Sequence, residues 1–256
     1  MDLDALSRNV ELLSDALGVD RPLVDLRASA YGHGLLPVAL ASEAAGAAAL
    51  RVSSLAEAVA LRDGGVTLEL LSPVAASDSA LASGRDIRPL DESFEAQDAA
   101  ARRDLGAGVY GLAAPAGLAT APVMTLAAEV IAVKSVDAGT GVSYGYTYRA
   151  PRTTTIALVS IGYADGVPRL ASNTTTATIA GVAHPVVGRI AMDQLVLDIG
   201  AAGAAPGDTV TIFGDAAAGA ATAVEWALRT RRLPGNLTAG LGRRVERVFL
   251  RGGVTP

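Results

Sequence analysis

Few side chains in this 256-residue chain are suited to chemistry. It has no cysteine, only two histidines, His33 and His184, and Lys134 as its single lysine. Zinc sites and iron–sulfur clusters need more soft ligands than that, so no metal centre is expected. Asp25 and Arg27 stand two residues apart in a β-like run, share a face, and predict an ion pair. The Arg27 guanidinium stays protonated near neutral pH and presents no free amine, so it forms no ordinary imine and is a poor proton acceptor. Tyr144 can act as a base only if its hydroxyl titrates well below about 10; a structural tyrosine is the rival reading. Tyr31, at a predicted strand end, is suited either to holding a phosphate or to packing. His33 lies between Gly32 and Gly34, a setting in which a polar ring serves the local backbone. Gly106, Gly108 and Gly111 match the GxGxxG spacing of dinucleotide sites. Pro115 and a Gly/Pro-rich stretch stand where the required helix would begin, which argues against that use.

These residues need a scaffold. Leu3, Leu6, Val10, Leu13 and Leu17 recur at helical spacing, and Gly18 supplies a stop. Short β-like runs (23–27, 50–53, 68–71, 87–90 and 105–110) then alternate with helical runs (35–45, 55–63 and 94–103), which predicts βα units and a parallel sheet. Glycine and proline cluster over 115–122, and the domain boundary is placed there, giving 1–118 and 119–256. Beyond it, Val-, Ile- and Thr-rich runs (125–136, 155–161, 175–179, 195–199, 209–213 and 245–250) predict a mainly antiparallel β domain with one helix near 221–230.

A net charge of −5 and a pI near 5.1 provide no cationic field for nucleic acid or anionic lipid. Half the residues are hydrophobic, enough for a substantial core. The longest apolar stretches are broken by Glu43 or Glu129 before the roughly 18 to 20 residues of a spanning helix. Asp2 and Asp4 do not open a secretory signal, and the expectation is a cytoplasmic protein.

Several motifs in one order resemble the alanine racemase family. They are Tyr31-Gly32-His33-Gly34, Ser54-Leu55-Ala56-Glu57-Ala58, Val142-Ser143-Tyr144-Gly145, Gly162-Tyr163-Ala164-Asp165-Gly166, and Gly188-Arg189-Ile190-Ala191-Met192-Asp193-Gln194. The resemblance implies an α/β plus β fold: a partial (β/α) barrel-like N-terminal domain followed by the β domain. It also implies pyridoxal phosphate, held as an imine by a lysine four residues before the YGHG tyrosine, and D-alanine as a product. That lysine and a tyrosine from the partner subunit would act as bases on opposite faces of the substrate α-carbon, while the conjugated ring spreads the carbanion charge.

Carried over residue by residue, the resemblance places Tyr144 as the candidate base, Arg27 at the lysine position, and Met192 and Asp193 among the catalytic positions. Tyr31, Asp104, Gly106, Ala107 and Phe249 fall on the cofactor side, and Tyr163, Asp165, Arg169 and Arg189 on the substrate entrance. The departures cluster on the cofactor side. Arg27 replaces the imine-forming lysine, so covalent binding of pyridoxal phosphate is not expected. Asp104 stands where the family has an arginine toward the ring nitrogen, and Phe249 where it has a phosphate-binding tyrosine. A complete barrel takes roughly 200 to 250 residues, whereas the β-like half begins at Val123 and leaves room for about five βα units. An open sheet, or a barrel completed by a partner chain, is expected. Three functions follow as expectations: a pseudoenzyme of the racemase family, as a homodimer or the partner of a full-length subunit; an active racemase with a rebuilt or shared site; or a module binding a small amino acid or phosphate.

Overall fold

The computed structural model describes residues 1–90, 104–113 and 115–252. The predicted helix over 94–103 lies outside them. The chain divides into two units, Met1–Val123 with Arg247 onward, and Met124–Glu246. The division thus falls at Val123, and the last residues return to the first unit instead of ending the second. Backbone hydrogen bonds explain the return: the Met1 ammonium donates to Val248 O at 2.6 Å, Leu3 N–H to Leu250 O at 3.0 Å and Leu250 N–H to Met1 O at 2.8 Å. The predicted strand over 245–250 therefore shrinks to one bridge, Asp2 to Leu250.

In the first unit, α1 (Leu3–Leu17) starts at Asp2, whose carboxylate accepts from Ala5 N–H at 2.8 Å, and stops at Gly18, left-handed at φ 63°. Leu3, Leu6, Val10 and Leu13 form its buried stripe, each contributing roughly 1.5–3 kcal/mol. Leu17 lies outside that stripe, at the exposed end. Next come β1 (Leu23–Asp25), α2 (Arg27–Tyr31), α3 (Leu35–Ala44), β2 (Ala49–Arg51), α4 (Leu55–Asp63), β3 (Glu69–Ser72), α5 (Ser79–Gly84) and β4 (Ile87–Pro89).

The four strands form one parallel sheet in the order β1-β2-β3-β4. Leu23, Ala49 and Leu71 pack together as part of its buried face, with Leu90 against them. Where a fifth strand was expected over 105–110, the chain makes a single parallel bridge from Asp104 to Leu23 and then a 3-10 turn, Gly106–Tyr110. Gly106 has φ +61°, which breaks an extended run at once. The first strand also ends two residues earlier than its sequence suggests, because α2 is a left-handed turn: Ala28, Ser29, Ala30 and Tyr31 have φ between 53° and 56°.

The second unit contains β5 (Leu126–Val136), β6 (Gly141–Val142), β7 (Tyr148–Arg149), β8 (Thr154–Val159), β9 (Thr176–Ile179), β10 (Val182–Pro185), β11 (Leu195–Gly200) and β12 (Thr209–Phe213), then α6 (Ala223–Arg229) and α7 (Pro234–Ala239). Six strands form an antiparallel sheet in the order β10-β9-β12-β5-β8-β11, and β6 pairs with β7. The long β5 serves both halves, pairing with β12 through Leu126–Glu129 and with β8 from Val130 onward. An antiparallel bridge, Val186 to Leu197, joins the two outer strands and leaves few open edges. Trp226 on α6 is buried against Phe213 and donates from Nε1 to Thr176 O at 3.0 Å. A capping box between Thr222 and Glu225 starts α6.

Leu6→Ala removes a fully buried side chain and is expected to cost about 2–5 kcal/mol. Leu17→Ala at the exposed end of the same helix should change stability by less than about 0.5 kcal/mol. Urea midpoints of the two variants check both values.

Candidate active site

The site residues expected from sequence fall into two groups, one in each unit. The first is built on the C-terminal end of β1. Asp25 closes that strand with its side chain 1% exposed. Arg27 grips it with the Nε–Nη2 edge of the guanidinium: Nε donates to Oδ1 and Oδ2 at 3.0 Å each, and Nη2 donates to Oδ2 at 2.7 Å. The Arg27 N–H adds a bond to Oδ1 at 3.1 Å. Parallel pairing sets Arg51 of β2 opposite Asp25, and Arg51 Nη2 donates to Oδ2 at 2.9 Å. Arg51 Nη2 also pairs closely with Asp104, whose other oxygen accepts from Gly106 N–H at 2.8 Å. Two carboxylates and two guanidiniums thus form one chain, Arg27–Asp25–Arg51–Asp104. Burial pushes the Asp25 carboxyl upward, but the hydrogen bonds from Arg27 and Arg51 overcome it and hold Asp25 below the usual carboxylate range. The bond to Asp25 raises Arg27 in turn.

The left-handed turn arranges what surrounds this chain. Such a conformation costs roughly 1–2 kcal/mol per non-glycine residue, and a set of local bonds offsets it. Ala30 N–H donates to Leu26 O at 2.7 Å, Gly34 N–H to Ser29 O at 3.0 Å and Ala28 N–H to Ser53 Oγ at 3.0 Å. The reversal brings Tyr31 back toward the strand, where its hydroxyl donates to Asp25 Oδ2 at 3.2 Å and its ring lies 5.0 Å from that of Tyr110. The Tyr110 hydroxyl donates to the Asp25 carbonyl at 2.6 Å.

His33 is fully buried with its ring 4.7 Å from Tyr110, and Nδ1 reaches Ala30 O at 2.9 Å and Tyr31 O at 3.1 Å, so that nitrogen carries the proton. This is the local backbone role its glycine-flanked position suggested. Phe249 packs over Gly34 so closely that a Cβ there would stand 2.7 Å from its ring. Gly106 and Ala107 lie in the 3-10 turn, where Ala107 O accepts from Leu112 N–H at 3.2 Å.

The second group is knitted by backbone. Tyr163 N–H donates to Ala191 O at 3.1 Å and Ala164 N–H to Met192 O at 2.9 Å, which locks the 162–166 motif onto the 188–194 motif. A Cβ at Gly162 would lie 2.3 Å from the Met192 carbonyl oxygen, so the approach depends on glycine. Ser143 Oγ donates to Arg189 O at 2.5 Å, tying in the third motif. Tyr144 follows Ser143 in a 3-10 turn, 71% exposed, and Met192 is 54% exposed. A cleft of about 340 Å³ is lined by Tyr144, Lys134, Ser143, Arg189 and Gln194, among others. Arg169 lies over the Tyr163 ring at 5.6 Å.

Asp165 caps its own turn by accepting from Gly162 N–H at 2.9 Å. Arg244 then bridges Asp165 at 3.2 Å and Asp193 at 2.7 Å. Sequence reasoning missed Arg51, Tyr110 and Arg244 as site residues. For Arg51 a signal was present, since it ends β2 as Asp25 ends β1. Among the described residues no cluster of His, Cys, Asp and Glu is suited to a metal ion, and no helix is long and apolar enough to cross a membrane.

Residues 1–108 match the family described as alanine racemase, N-terminal domain, and residues 123–249 match alanine racemase, C-terminal domain. The chain is 30% identical to an alanine racemase of Mycolicibacterium smegmatis over 367 positions, covering 99% of this chain and 94% of that protein. The chain belongs to the alanine racemase family. Since that alignment is far longer than the 256-residue chain, over a hundred positions of the relative have no counterpart here. An alanine racemase of Salinispora arenicola is 48% identical over 124 residues, which span 48% of this chain and only 33% of that relative. The solved alanine racemase from D-cycloserine-producing Streptomyces lavendulae superposes with a TM-score of 0.84 at 28% identity, covering 98% of this chain and 96% of the other. The alanine racemase of Bartonella henselae, solved with covalently bound pyridoxal phosphate, shares the fold with a TM-score of 0.80 at 20% identity. The expected architecture, a partial barrel-like parallel unit followed by an antiparallel β unit, agrees with these neighbours.

Burial is the main cause lowering His33 from its ordinary value to about 4, with the carbonyls of Ala30 and Tyr31 opposing. Unfolded histidine titrates near about 6.5, so between the two values the unfolded chain takes up a proton that the folded chain refuses. Its contribution to stability is full above about 6.5 and is lost as pH falls toward about 4. His33→Gln should flatten that part of the profile, as urea midpoints across the window would record.

Proposed function

We propose that this chain is a non-racemising member of the alanine racemase family that forms no imine with pyridoxal phosphate. The observation that carries this reading is the bidentate grip of Arg27 on Asp25. Where the family resemblance places a reactive amine, this chain has a guanidinium locked to a buried carboxylate. The neighbouring positions agree. Asp104 is engaged by Arg51, and Phe249 lies against Gly34 without a hydroxyl to offer. The residues present do not fit a covalently held pyridoxal phosphate. Incubation with the coenzyme and desalting should leave no absorbance band near the visible edge, and borohydride treatment of the desalted protein should then give no stoichiometric adduct by intact mass. A one-to-one adduct that persists through desalting would overturn the reading.

The exposure of Tyr144 favours a second reading, in which the β unit serves a site on another subunit, either a second copy or a full-length racemase. Tyr144 projects beside Arg189 and Gln194 at an open cleft, and the same surface carries Met192. The acid–base group is then supplied by this chain and the cofactor by its partner. Mixing the chain with a full-length racemase whose own catalytic tyrosine is changed to phenylalanine should restore alanine racemisation, and Tyr144→Phe should abolish the restoration. Absence of racemisation at every mixing ratio would remove this reading.

A further inference from the structure

The arginine at position 27 is one member of a coupled set. Asp25 is almost fully buried, and a carboxylate in that setting is tolerated only with a cation and hydrogen bonds around it. Arg51 supplies one cation but is shared with Asp104, so the set of two acids is neutral only when position 27 also carries a positive charge. Asp25 has no route away from that cation. Its backbone carbonyl is held by the Tyr110 hydroxyl at 2.6 Å, its Oδ2 also accepts from Tyr31, and its strand is paired with β2.

We infer that Asp25 is a positioning residue that imposes a permanent cation on position 27, so the strand-end carboxylate, and not the side chain at 27 alone, keeps a free amine out of this site. The inference rests on the reading above that position 27 is the imine position of the family. It goes further by naming a second determinant, one that restoring the lysine leaves in place.

The chemistry makes the consequence specific. Imine formation joins the nitrogen of a neutral amine to an aldehyde carbon, and the two amine hydrogens leave with the carbonyl oxygen as water. An ammonium has no lone pair to begin that attack. A lysine introduced at 27 beside Asp25 is held as ammonium, and each unit by which its titration rises lowers the neutral fraction tenfold. Asp25 touches neither aldehyde nor substrate in this scheme; it acts only through the group at 27.

Two variants test it, Arg27→Lys and Arg27→Lys/Asp25→Asn, with Lys134 as the exposed internal standard, since it is the only other lysine in either chain. The first readout is an NMR titration of the two lysine amines. The second is the rate of borohydride-trapped adduct formation with pyridoxal phosphate, assigned by peptide mass. In the single variant the introduced lysine should titrate above Lys134 and be trapped at least tenfold more slowly. In the double variant its titration should fall and its trapping rate rise at least tenfold. Equal titration and equal trapping of the two lysines in the single variant would overturn the inference.

Should either variant fail to fold by circular dichroism, Arg27→Gln provides an independent measurement. With one cation removed, the Asp25 carboxyl should titrate at a higher pH than in the unchanged chain, and an unchanged Asp25 would refute the claim. An adduct on the unchanged chain that persists through desalting before borohydride is added would instead defeat only the reading under Proposed function, because the lysine comparison does not depend on it.

Discussion

A buried carboxylate at the end of the first strand organises the N-terminal unit. Taking a charge of that kind out of water costs several kcal/mol unless it is paired and hydrogen-bonded, and Asp25 has two guanidinium partners, a phenol and a backbone amide. These partners come from three residues: Arg27 in the turn after β1, which supplies both a guanidinium and the amide, Arg51 at the end of β2, and Tyr31 after the chain has reversed. Arg51 extends the pairing to Asp104, which forms a parallel bridge to Leu23 of β1. The ionic chain therefore runs from β2 across the end of β1 to the segment bridged to it at Leu23.

The same carboxylate gives the strained turn a purpose in the fold. Four consecutive residues in left-handed geometry are unfavourable by themselves, and the turn persists because its ends are fixed on both sides. Asp25 and Ser53 hold its start, while buried His33 bonds to the carbonyls of Ala30 and Tyr31 at its end. Geometry that could present a reactive side chain at a strand end here presents a guanidinium to its neighbour two residues back.

In the β unit the motifs matter through backbone contact more than through side-chain chemistry. Gly162 lets two segments approach until their amides and carbonyls pair, and Ser143 reaches the Arg189 carbonyl. This frame leaves Tyr144 and Met192 exposed. The motifs of the β unit thus frame an exposed surface, whereas Asp25, Arg27, Arg51 and Asp104 of the N-terminal unit form a charge set around a buried carboxylate.

Much of this was legible in the residues themselves. The amphipathic period of α1, the βα alternation, the Val/Ile/Thr-rich strands and the Asp25–Arg27 pairing all depend on spacing within a few residues, which the sequence states directly. The short strands β6, β7 and β10 and the helix α7 lacked that signal, since each is too brief or too polar to show a period. Residues 105–110 were read as a strand because apolar content outweighed Gly106, whose positive φ decides the conformation. Tertiary structure alone determined that Arg51 and Asp104 complete the charge chain, that Tyr110 secures the strand end, that Arg244 bridges Asp165 and Asp193, and that the C-terminal residues return to the first unit. Those partners lie tens to hundreds of residues apart, and the register and burial that bring them together exist only once the chain has folded. By itself the sequence determined which groups are available for chemistry, and above all that position 27 carries no amine, because that follows from covalent structure and not from neighbours.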